Sequence, residues 1–158
     1  MVKQKDTTAQ GRAWARLITA NAILLERMEA AMHDAGLPNL ACYDVLWTLE
    51  NAEHGRLRMH DLAQRVVLSR SNLTRLADRL ESARLIRRED CPHDRRGNYC
   101  ALTEAGRKMR QKMWPVYRAQ IDNLFSQHLT ATEAKAMADC LERVLQAAKQ
   151  PSRQKSKK

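Results

Sequence analysis

The sequence has 158 residues, of which 44% are hydrophobic and 29% are charged, and its net charge at neutral pH is +10. This length suits one compact domain, or one subunit that completes its core against a partner, and it leaves little room for a second independent domain. The excess of positive charge indicates an anionic partner such as nucleic acid or an acidic membrane.

Neither a leader nor a membrane span is evident. Residues 1–11 are polar, and no apolar run approaches the roughly 18 residues that a bilayer span needs. The cysteines are scattered without a C-x-x-C pair, which argues against a zinc cage or a secreted disulfide framework. They are Cys42, Cys91, Cys100 and Cys140. We therefore expect a cytoplasmic protein with free thiols, no membrane partner, no metal and no cofactor.

The positive charge comes from two segments. Residues 56–96 hold eleven arginines and no lysine against six acidic residues, and residues 143–158 contain no acidic residue. The end of the chain, 149–158, is polar, lacks apolar periodicity and includes Pro151, so we expect a disordered basic tail there. The arginine-rich segment is therefore the better candidate for a specific function.

Two helices are predicted ahead of the arginine-rich segment. Apolar residues recur at three- and four-residue steps from Trp14 to Met32, which predicts a long amphipathic helix that ends at Gly36. A second helix is predicted over about 39–52, with Gly55 near its C-cap. The tripeptide RLR then predicts a very short extended segment.

A helix-turn-helix unit is predicted next. A short helix over about 60–66 is followed by a tight turn at Leu68 and Ser69 and by a second helix over about 70–83. Ser69 is the natural N-cap of that second helix. Its inward residues are Leu73, Leu76, Ala77 and Leu80. Its outward residues are Arg70, Ser71, Asn72, Thr74, Arg75, Asp78 and Arg79, which suit phosphates and base edges.

A β-hairpin and two helices complete the pattern. The segments LIRRED and NYCALT predict two strands joined by CPHDRRG, whose Pro92, Asp94 and Gly97 are turn formers. Such a hairpin is typical of the wing in a winged helix. The pattern returns to helix after Thr103, and the last helix begins at Thr130, where TATE forms a capping box.

The arginines lie where a winged helix-turn-helix unit would meet DNA. The helix and the hairpin tip need cations for phosphates, and a planar guanidinium also pairs with guanine edges. The alternative is a solvated helix face with internal ion pairs, such as Asp78 with Arg75 or Arg79. Charge, helical spacing and hairpin together favour DNA binding. The predicted DNA-binding residues are Ser69, Arg70, Ser71, Asn72, Thr74, Arg75, Arg79, Asp94, Arg95 and Arg96.

At these residues the sequence resembles the MarR family of bacterial transcriptional regulators. Leu62 and Ala63 match the family's LA in the first helix of the helix-turn-helix, and SRSNLTRLADRLE resembles its recognition helix. The segment DRRGNYCALTEAG matches its wing pattern, D-x-R followed by L-T and a later glycine. The resemblance covers roughly residues 12–148.

Two positions depart from the family pattern. Arg84 stands where a glycine usually ends the recognition helix. If the backbone there remains left-handed, a residue with a Cβ costs about 1 kcal/mol, and otherwise the helix ends differently. Pro38 stands where a capping threonine is common, which leaves Asn39 as the expected cap of the second helix.

The resemblance implies a mainly α-helical fold with a small β wing. It implies a winged helix-turn-helix DNA-binding domain over 39–102 and dimerisation helices over 12–36 and 103–148. The first helix and the last two would interlock with those of a second subunit in an obligate homodimer. The terminal apolar stripes support a dimer independently, because they have little to bury against within one subunit.

The resemblance also implies a partner and a location. The homodimer would bind a pseudo-palindromic operator in double-stranded DNA, in the bacterial cytoplasm and associated with the nucleoid. By the family's pattern Arg75 and its neighbours would enter the major groove. Arg95 or Arg96 would reach a minor groove, with Asp94 bracing a wing arginine.

Many members of the family respond to small aromatic acids or phenols bound between the dimer helices and the DNA-binding lobe. The resemblance therefore implies a repressor that an aromatic effector releases from DNA. A binding site would need a wall of aromatic rings and a cation. The candidates are Trp14, Arg16, Tyr43, Asp44, Trp47, His60 and Arg75. Tyr43 and Trp47 fit a pocket and a hydrophobic core equally well.

Thiol or metal sensing is the alternative mode of regulation. Cys42 lies in the first turn of a helix, where the helix dipole favours a thiolate, although a small buried residue fits the position equally. Cys91 and Cys100 flank the wing and are candidates to face each other across the hairpin. His93 is a candidate metal ligand beside them.

Functions of other classes find less support. The sequence contains no Gly-rich phosphate loop, no H-E-x-x-H and no G-x-S-x-G, so it does not predict an enzyme. A winged helix used as a protein-interaction or RNA-binding module remains a third hypothesis. Salt-sensitive binding to duplex DNA with inverted repeats would separate a DNA regulator from both.

Overall fold

The computed structural model describes residues 8–66, 70–91 and 94–149. In this part of the chain the helices are α1 (Ala9–Asp34), α2 (Leu40–Glu50), α3 (Met59–Arg65), α4 (Arg70–Ser82), α5 (Glu104–Leu124) and α6 (Ala131–Lys149). The strands are β1 (Arg56–Arg58), β2 (Ile86–Cys91) and β3 (Asp94–Leu102). The predicted fold class, mainly α-helical with a small β wing, is confirmed.

Two compact units divide the chain, one ending at Gln120 and the other beginning at Ile121. The first unit contains α1 to α4, the sheet and most of α5, and the second contains α6. None of the helices described is long and apolar enough to cross a membrane.

Helix α2 begins as predicted and ends earlier. Asn39 is its N-cap, because the Asn39 side chain accepts a hydrogen bond from the backbone nitrogen of Cys42 at 3.1 Å. The predicted role of Gly55 near the α2 C-cap is wrong. Gly55, with φ of 65°, instead ends a short 3-10 turn that leads into β1.

The hydrophobic core lies among α2, α3, α4 and the sheet. Its buried members are Cys42, Val45, Leu46, Leu49, Leu62, Val66, Leu73, Leu76, Ala77, Leu80, Leu85, Ile86 and Cys100. All the residues predicted to face inward from α4 belong to this set. Because the apolar stripe of α4 is fixed against the core, its polar residues face solvent.

The strands form an antiparallel sheet in the order β1-β3-β2. Strand β3 begins at Asp94, so it extends into the segment predicted as the loop of the hairpin. Pro92 and His93 lie outside the described residues. Cys91 pairs with Asp94 and Cys100 pairs with Arg88, so the two cysteines do not face each other. The prediction that they do is wrong, because the strand register pairs Cys91 with the first residue of β3 and places Cys100 farther along that strand.

The segment LTEAG joins β3 to α5 and fixes the end of α4. The Thr103 hydroxyl lies 2.7 Å from the carbonyl oxygen of Arg84 and 2.9 Å from that of Leu85. The backbone nitrogen of Gly106 donates to the Thr103 hydroxyl oxygen at 3.0 Å. A Cβ at Gly106 would lie 2.0 Å from the Leu85 carbonyl oxygen. Glycine is required there because two backbones approach closely.

Arg84 ends α4 in the left-handed conformation, with φ of 59°. The backbone nitrogen of Leu85 donates to the carbonyl of Leu80 at 2.9 Å, and that of Arg84 donates to Glu81 at 2.8 Å. This pair of bonds is a Schellman motif, the same ending that α1 makes with Gly36 at φ of 64°. Helix α4 therefore ends in the left-handed conformation that glycine usually adopts, with an arginine at that position.

Replacing Arg84 by glycine is expected to stabilise the protein by about 1 kcal/mol, because glycine adopts the left-handed conformation without a Cβ penalty. The free energy of unfolding in urea, at a fixed protein concentration, measures the effect. Gly36→Ala, the reverse change at the equivalent place in α1, should destabilise by a similar amount. Equal or lower stability of Arg84→Gly would contradict a strained ending.

The terminal helices keep large apolar side chains in contact with solvent. Helix α1 exposes 63% of Trp14 and also exposes Ile18 and Ile23. Helix α6 begins with the predicted capping box, in which the Thr130 backbone nitrogen donates to a Glu133 carboxylate oxygen at 2.9 Å. No described residue of α6 is buried. Its exposed hydrophobic residues include Val144 and Leu145, at 53% and 52%.

Candidate nucleic-acid interface

Polar residues on the outward face of α4 line an open cleft of about 490 Å³. Its lining residues are Asn72, Arg75, Asp78 and Arg79. Ser71 and Thr74 are exposed on the same helix. These residues lie together because steps of three and four place them on one helical face, opposite the buried leucines. The structure thus gathers five of the ten residues predicted to bind DNA.

The remaining predicted DNA-binding residues are only partly described. Ser69 lies outside the described residues. The side chains of Arg70, Asp94, Arg95 and Arg96 also lie outside the description, although Arg70 begins α4 and the other three belong to β3. DNA contact by this set of residues stays a prediction.

The charges on α4 do not pair with each other in the way the alternative predicted. Asp78 makes its ion pair with Arg88 of β2, at 2.5 Å, rather than with Arg75 or Arg79. Arg88 also lies 3.1 Å from the carboxylate of Glu81. The hydrogen bond from Arg88 to Asp78 is the main cause that raises the pKa of Arg88. Sequence reasoning missed Arg88, because pairing between elements has no sequence period.

The sheet adds further arginines next to an aromatic ring. The guanidinium groups of Arg56 and Arg58 lie 5.0 Å and 5.7 Å from the centre of the Tyr99 ring. Glu89 pairs with Arg87 at 2.6 Å and with Arg56 at 3.1 Å. Hydrogen bonds from Arg87, which has the larger effect, and from Arg56 lower the pKa of Glu89. Three arginines and one carboxylate thus lie together around Tyr99 and Glu89.

The predicted effector-binding residues are distributed over several surfaces. Trp14 and Arg16 are exposed on α1, and Asp44 and Trp47 are exposed on α2. Trp47 keeps 50% of its surface exposed, so it is not a core residue in the single chain. His60 lines a groove of about 210 Å³ with Met59, Ala63, Leu73 and Thr74. Arg75 lines the separate cleft on α4, so these residues do not share one pocket within the chain.

Tyr43 is buried in an aromatic cluster between α2 and α5. Its ring centre lies 4.8 Å from that of Tyr117, edge to face, and 6.3 Å from that of Trp114, stacked. Burial raises the pKa of Tyr43, against the opposing charge of Arg110 and a hydrogen bond from it. Sequence reasoning missed Trp114, Tyr117 and Arg110, although their spacing on α5 places them on one helical face.

Glu50 joins α2 to α5 beside this cluster. One carboxylate oxygen lies 3.0 Å from the guanidinium of Arg107, and the other lies 2.5 Å from Nε of Arg110. The contact with Arg110 is a close ion pair without well-aligned hydrogen-bond geometry. The side chains of Glu50 and Arg110 keep only 16% and 18% of their surface exposed. One mostly buried carboxylate thus balances two arginines.

Asp44 lies near a second carboxylate, that of Glu29 on α1. Glu29 accepts a hydrogen bond from the backbone nitrogen of Leu40 at 3.2 Å, at the start of α2. Asp44 is exposed, but surrounding atoms partly desolvate its carboxyl group. This desolvation is the larger cause that raises the pKa of Asp44, and the charge of Glu29 is the smaller one. The carboxylate of Glu29 near Asp44 therefore disfavours an anion at this place.

Cys42 and Cys100 are buried thiols. They keep 2% and 0% of their surface exposed, and burial raises the pKa of each to about 11. For Cys42 the loss of hydration outweighs the opposing charge of Arg79, so the position holds a small buried residue and not a thiolate. Cys140 is exposed, and the side chain of Cys91 lies outside the description.

In the folded protein Cys42 and Cys100 are expected to alkylate at least about a hundredfold more slowly at pH 8 than the same thiols in the urea-unfolded chain, because only the thiolate reacts. Mass spectrometry of each cysteine after timed iodoacetamide labelling measures the rates. Labelling in urea should equalise them. Peroxide-dependent loss of function that requires Cys42 would contradict this expectation and favour thiol sensing.

Comparison with known proteins points consistently to one group of regulators. The sequence profile described as MarR family matches residues 35–97. The transcriptional repressor MprA of Escherichia coli K12 is 30% identical over 122 residues, which cover 77% of this chain and 68% of the relative. The regulator MhqR of Bacillus subtilis is 29% identical over 125 residues, covering 79% and 83%.

Solved structures agree with these sequence matches. AbsC, a MarR family transcriptional regulator from Streptomyces coelicolor, superposes with a TM-score of 0.81 at 30% identity, covering 89% of this chain and 95% of its own. Sco3205, a MarR family regulator from the same organism solved in complex with DNA, superposes with a TM-score of 0.82 at 30% identity, covering 95% and 94%. The similarity therefore extends well beyond the winged unit.

Proposed function

Because this chain belongs to the MarR family of transcriptional regulators, we propose that it acts as a homodimeric repressor. The dimer binds a pseudo-palindromic operator in double-stranded DNA. A small aromatic acid or phenol releases it from that operator. The relatives are transcriptional regulators and not enzymes, so the function lies in binding.

The outward face of α4 is the observation that carries the proposal. Arg75 and Arg79 line one cleft with Asn72, and the buried leucines hold α4 so that this face is open to a duplex. Arginine and asparagine make the bidentate contacts that distinguish guanine and adenine in the major groove. The complex of Sco3205 with DNA, at 30% identity, supports the same use of the fold.

A second copy of the chain is the proposed cover for the exposed stripes of α1 and α6. In this arrangement residues 12–36 and 103–148 form the dimer, 39–102 form the DNA-binding domain, and 149–158 form a basic tail. Large side chains such as Trp14 and Leu145, half or more exposed in one chain, would leave water on dimerisation. A two-fold dimer then matches a two-fold operator.

Binding to the DNA that flanks its own gene tests the proposal. Fluorescence anisotropy should show a dimer on a pseudo-palindrome whose half-site centres are about 10 base pairs apart, one helical turn. Inserting about five base pairs between the half-sites turns one half to the opposite side of the duplex and should abolish tight binding. Tight binding of a monomer to a single half-site would refute the proposal.

Removing both wing arginines, Arg95→Ala with Arg96→Ala, should weaken binding on every sequence. The slope of affinity against salt should decrease by about 0.9 for each phosphate that is no longer neutralised, because fewer counterions are released. Anisotropy titrations from low to high salt measure the slope. Lys135→Ala with Lys149→Ala removes the same charge from α6 and serves as the control. An unchanged slope in the wing variant would remove the wing from the interface.

The aromatic cluster supports an aromatic effector. Tyr43, Trp114 and Tyr117 supply rings beside the guanidinium of Arg110, and Trp47 is exposed one helical turn along α2 from Tyr43. An effector lowers DNA affinity only if it binds better to the dimer whose recognition helices are misplaced for the operator. An effector that contacts both α2 and α5 would couple its binding to the distance between the two recognition helices of the dimer.

Trp47→Ala tests the effector site. The variant should bind the operator like the wild type and lose release by a panel of aromatic acids and phenols. Trp47→Phe, which keeps a ring, should retain the response. A normal response in Trp47→Ala would remove that residue from the proposed site.

A further inference from the structure

One arginine joins the recognition helix to the wing strand. Arg88 of β2 places Nη2 2.5 Å from Oδ1 of Asp78 and Nη1 3.1 Å from Oε2 of Glu81. Its backbone nitrogen also donates to the other carboxylate oxygen of Glu81 at 3.0 Å. Two carboxylates about one turn apart on α4 therefore hold both the side chain and the backbone of one strand residue. We call these three residues the Arg88 cluster.

The Arg88 cluster is placed to fix the geometry between the two elements. Arg88 keeps 30% of its side chain exposed and lies opposite the buried Cys100 in the sheet. A single exposed ion pair contributes little stability, but a planar guanidinium that meets two carboxylates has few alternative positions. Three residues beyond Arg88, strand β2 ends at Cys91, which pairs with Asp94 at the start of β3.

Asp78 gives the Arg88 cluster a second consequence. Its carboxylate lines the same cleft as Asn72, Arg75 and Arg79, on the face proposed to meet DNA. An unpaired carboxylate there would repel the phosphates of the duplex. Pairing with Arg88 places a positive charge 2.5 Å from it.

We propose that Arg88 is a positioning residue for DNA binding, one that holds wing and recognition helix in a single arrangement and neutralises Asp78 beside the cleft. This inference rests on the proposed function, because it concerns how the two DNA contacts are made together. Binding through preorganised elements loses less entropy than binding through elements that move independently. Arg88 thus acts through Asp78 and Glu81 and needs no contact with DNA.

The test uses the full chain and the operator, measured by anisotropy. Arg88→Gln is compared with Arg87→Gln, a matched control that loses the same charge from the neighbouring position, which pairs with Glu89 instead of α4. Each variant is measured with and without the substitutions Arg95→Ala and Arg96→Ala. The informative readout is the factor by which the wing substitutions weaken binding. A loss of stability alone would lower every affinity but would leave this factor unchanged.

We expect Arg88→Gln to weaken binding about tenfold and to reduce the effect of the wing substitutions to under about threefold, since a displaced wing contributes less. Arg87→Gln should keep the full wing effect. Arg88→Lys should restore only part of it, because one ammonium group cannot match the two-carboxylate geometry. If Arg88→Gln fails to fold by circular dichroism, Glu81→Gln, which keeps the pair with Asp78, should shift the wing effect in the same direction.

The outcomes separate this inference from the proposed function. No binding by the wild type would refute the proposed function itself. Wild-type binding with an unchanged wing effect in Arg88→Gln, or in Glu81→Gln where that variant is needed, would overturn the role of Arg88 alone. A wild-type protein that is indifferent to the wing substitutions would overturn it too, together with the role of the wing.

Discussion

Truncation before Thr130 is expected to abolish dimerisation and soluble folding together. It removes all of α6, whose apolar side chains have no buried position in the single chain and are proposed to face a second copy. Without them the matching surface of the partner would face water. Light scattering and circular dichroism measure assembly and folding. Removing only residues 151–158 should affect neither.

A milder variant separates assembly from folding. Val144→Asp with Leu145→Asp adds charge to side chains that are already half exposed, so the single chain should tolerate it. A dimer covering these side chains should dissociate at least about a hundredfold more readily, since each buried aliphatic side chain contributes about 1.5 kcal/mol. Gln146→Asp, on the polar side of α6, is the control. A stable dimer in the double variant, or a well-folded monomer after truncation, would contradict the proposed interface.

Glu50→Gln is expected to destabilise the protein by about 3 kcal/mol, because it leaves the mostly buried Arg110 without its counter-charge. Urea unfolding at a fixed protein concentration measures the loss. Glu104→Gln is the control, because it makes the same chemical change next to Arg107, which also pairs with Glu50. Its carboxylate is 71% exposed and 3.8 Å away, so it should cost less than about 1 kcal/mol.

A double variant tests whether the lost stability of Glu50→Gln comes from the unpaired charge of Arg110 or from a simple loss of packing. Glu50→Gln combined with Arg110→Met should recover part of the stability, because an apolar side chain replaces a desolvated cation. Equal losses from Glu50→Gln and Glu104→Gln would show that the link between α2 and α5 does not depend on the buried carboxylate. Additive losses in the double variant would lead to the same conclusion.

Sequence patterns were sufficient for elements whose signals are local. The inward stripe of α4, from Leu73 to Leu80, follows from helical spacing alone, and so does the cleft on the opposite face. The caps at Asn39 and Thr130 follow from side chains that bond to backbone groups three residues away. The order of helices, turn and hairpin was enough to indicate the family.

Local patterns left the answer open, or misled, where a residue's environment comes from another element. The position of Cys42 in a first helical turn fitted a thiolate and a small buried residue equally, and the packed core decides for the buried residue by raising the pKa of Cys42 to about 11. The turn residues near Pro92 indicated a longer loop, but pairing in the sheet carries β3 back to Asp94. Arg84 shows the same principle for the backbone, because the Schellman bonds to Leu80 and Glu81 hold it left-handed without a glycine.

The sequence by itself therefore determined which helices and strands form, which face of α4 is apolar, and which kind of partner the charge favours. Only the tertiary structure decided that Asp78 pairs with Arg88 and not with Arg75, and that Tyr43 meets Trp114 and Tyr117. Neighbours along one helix are set by its period, which can be read from spacing. Neighbours on different elements are set by how whole faces pack and how strands pair, and no single spacing in the chain records that arrangement.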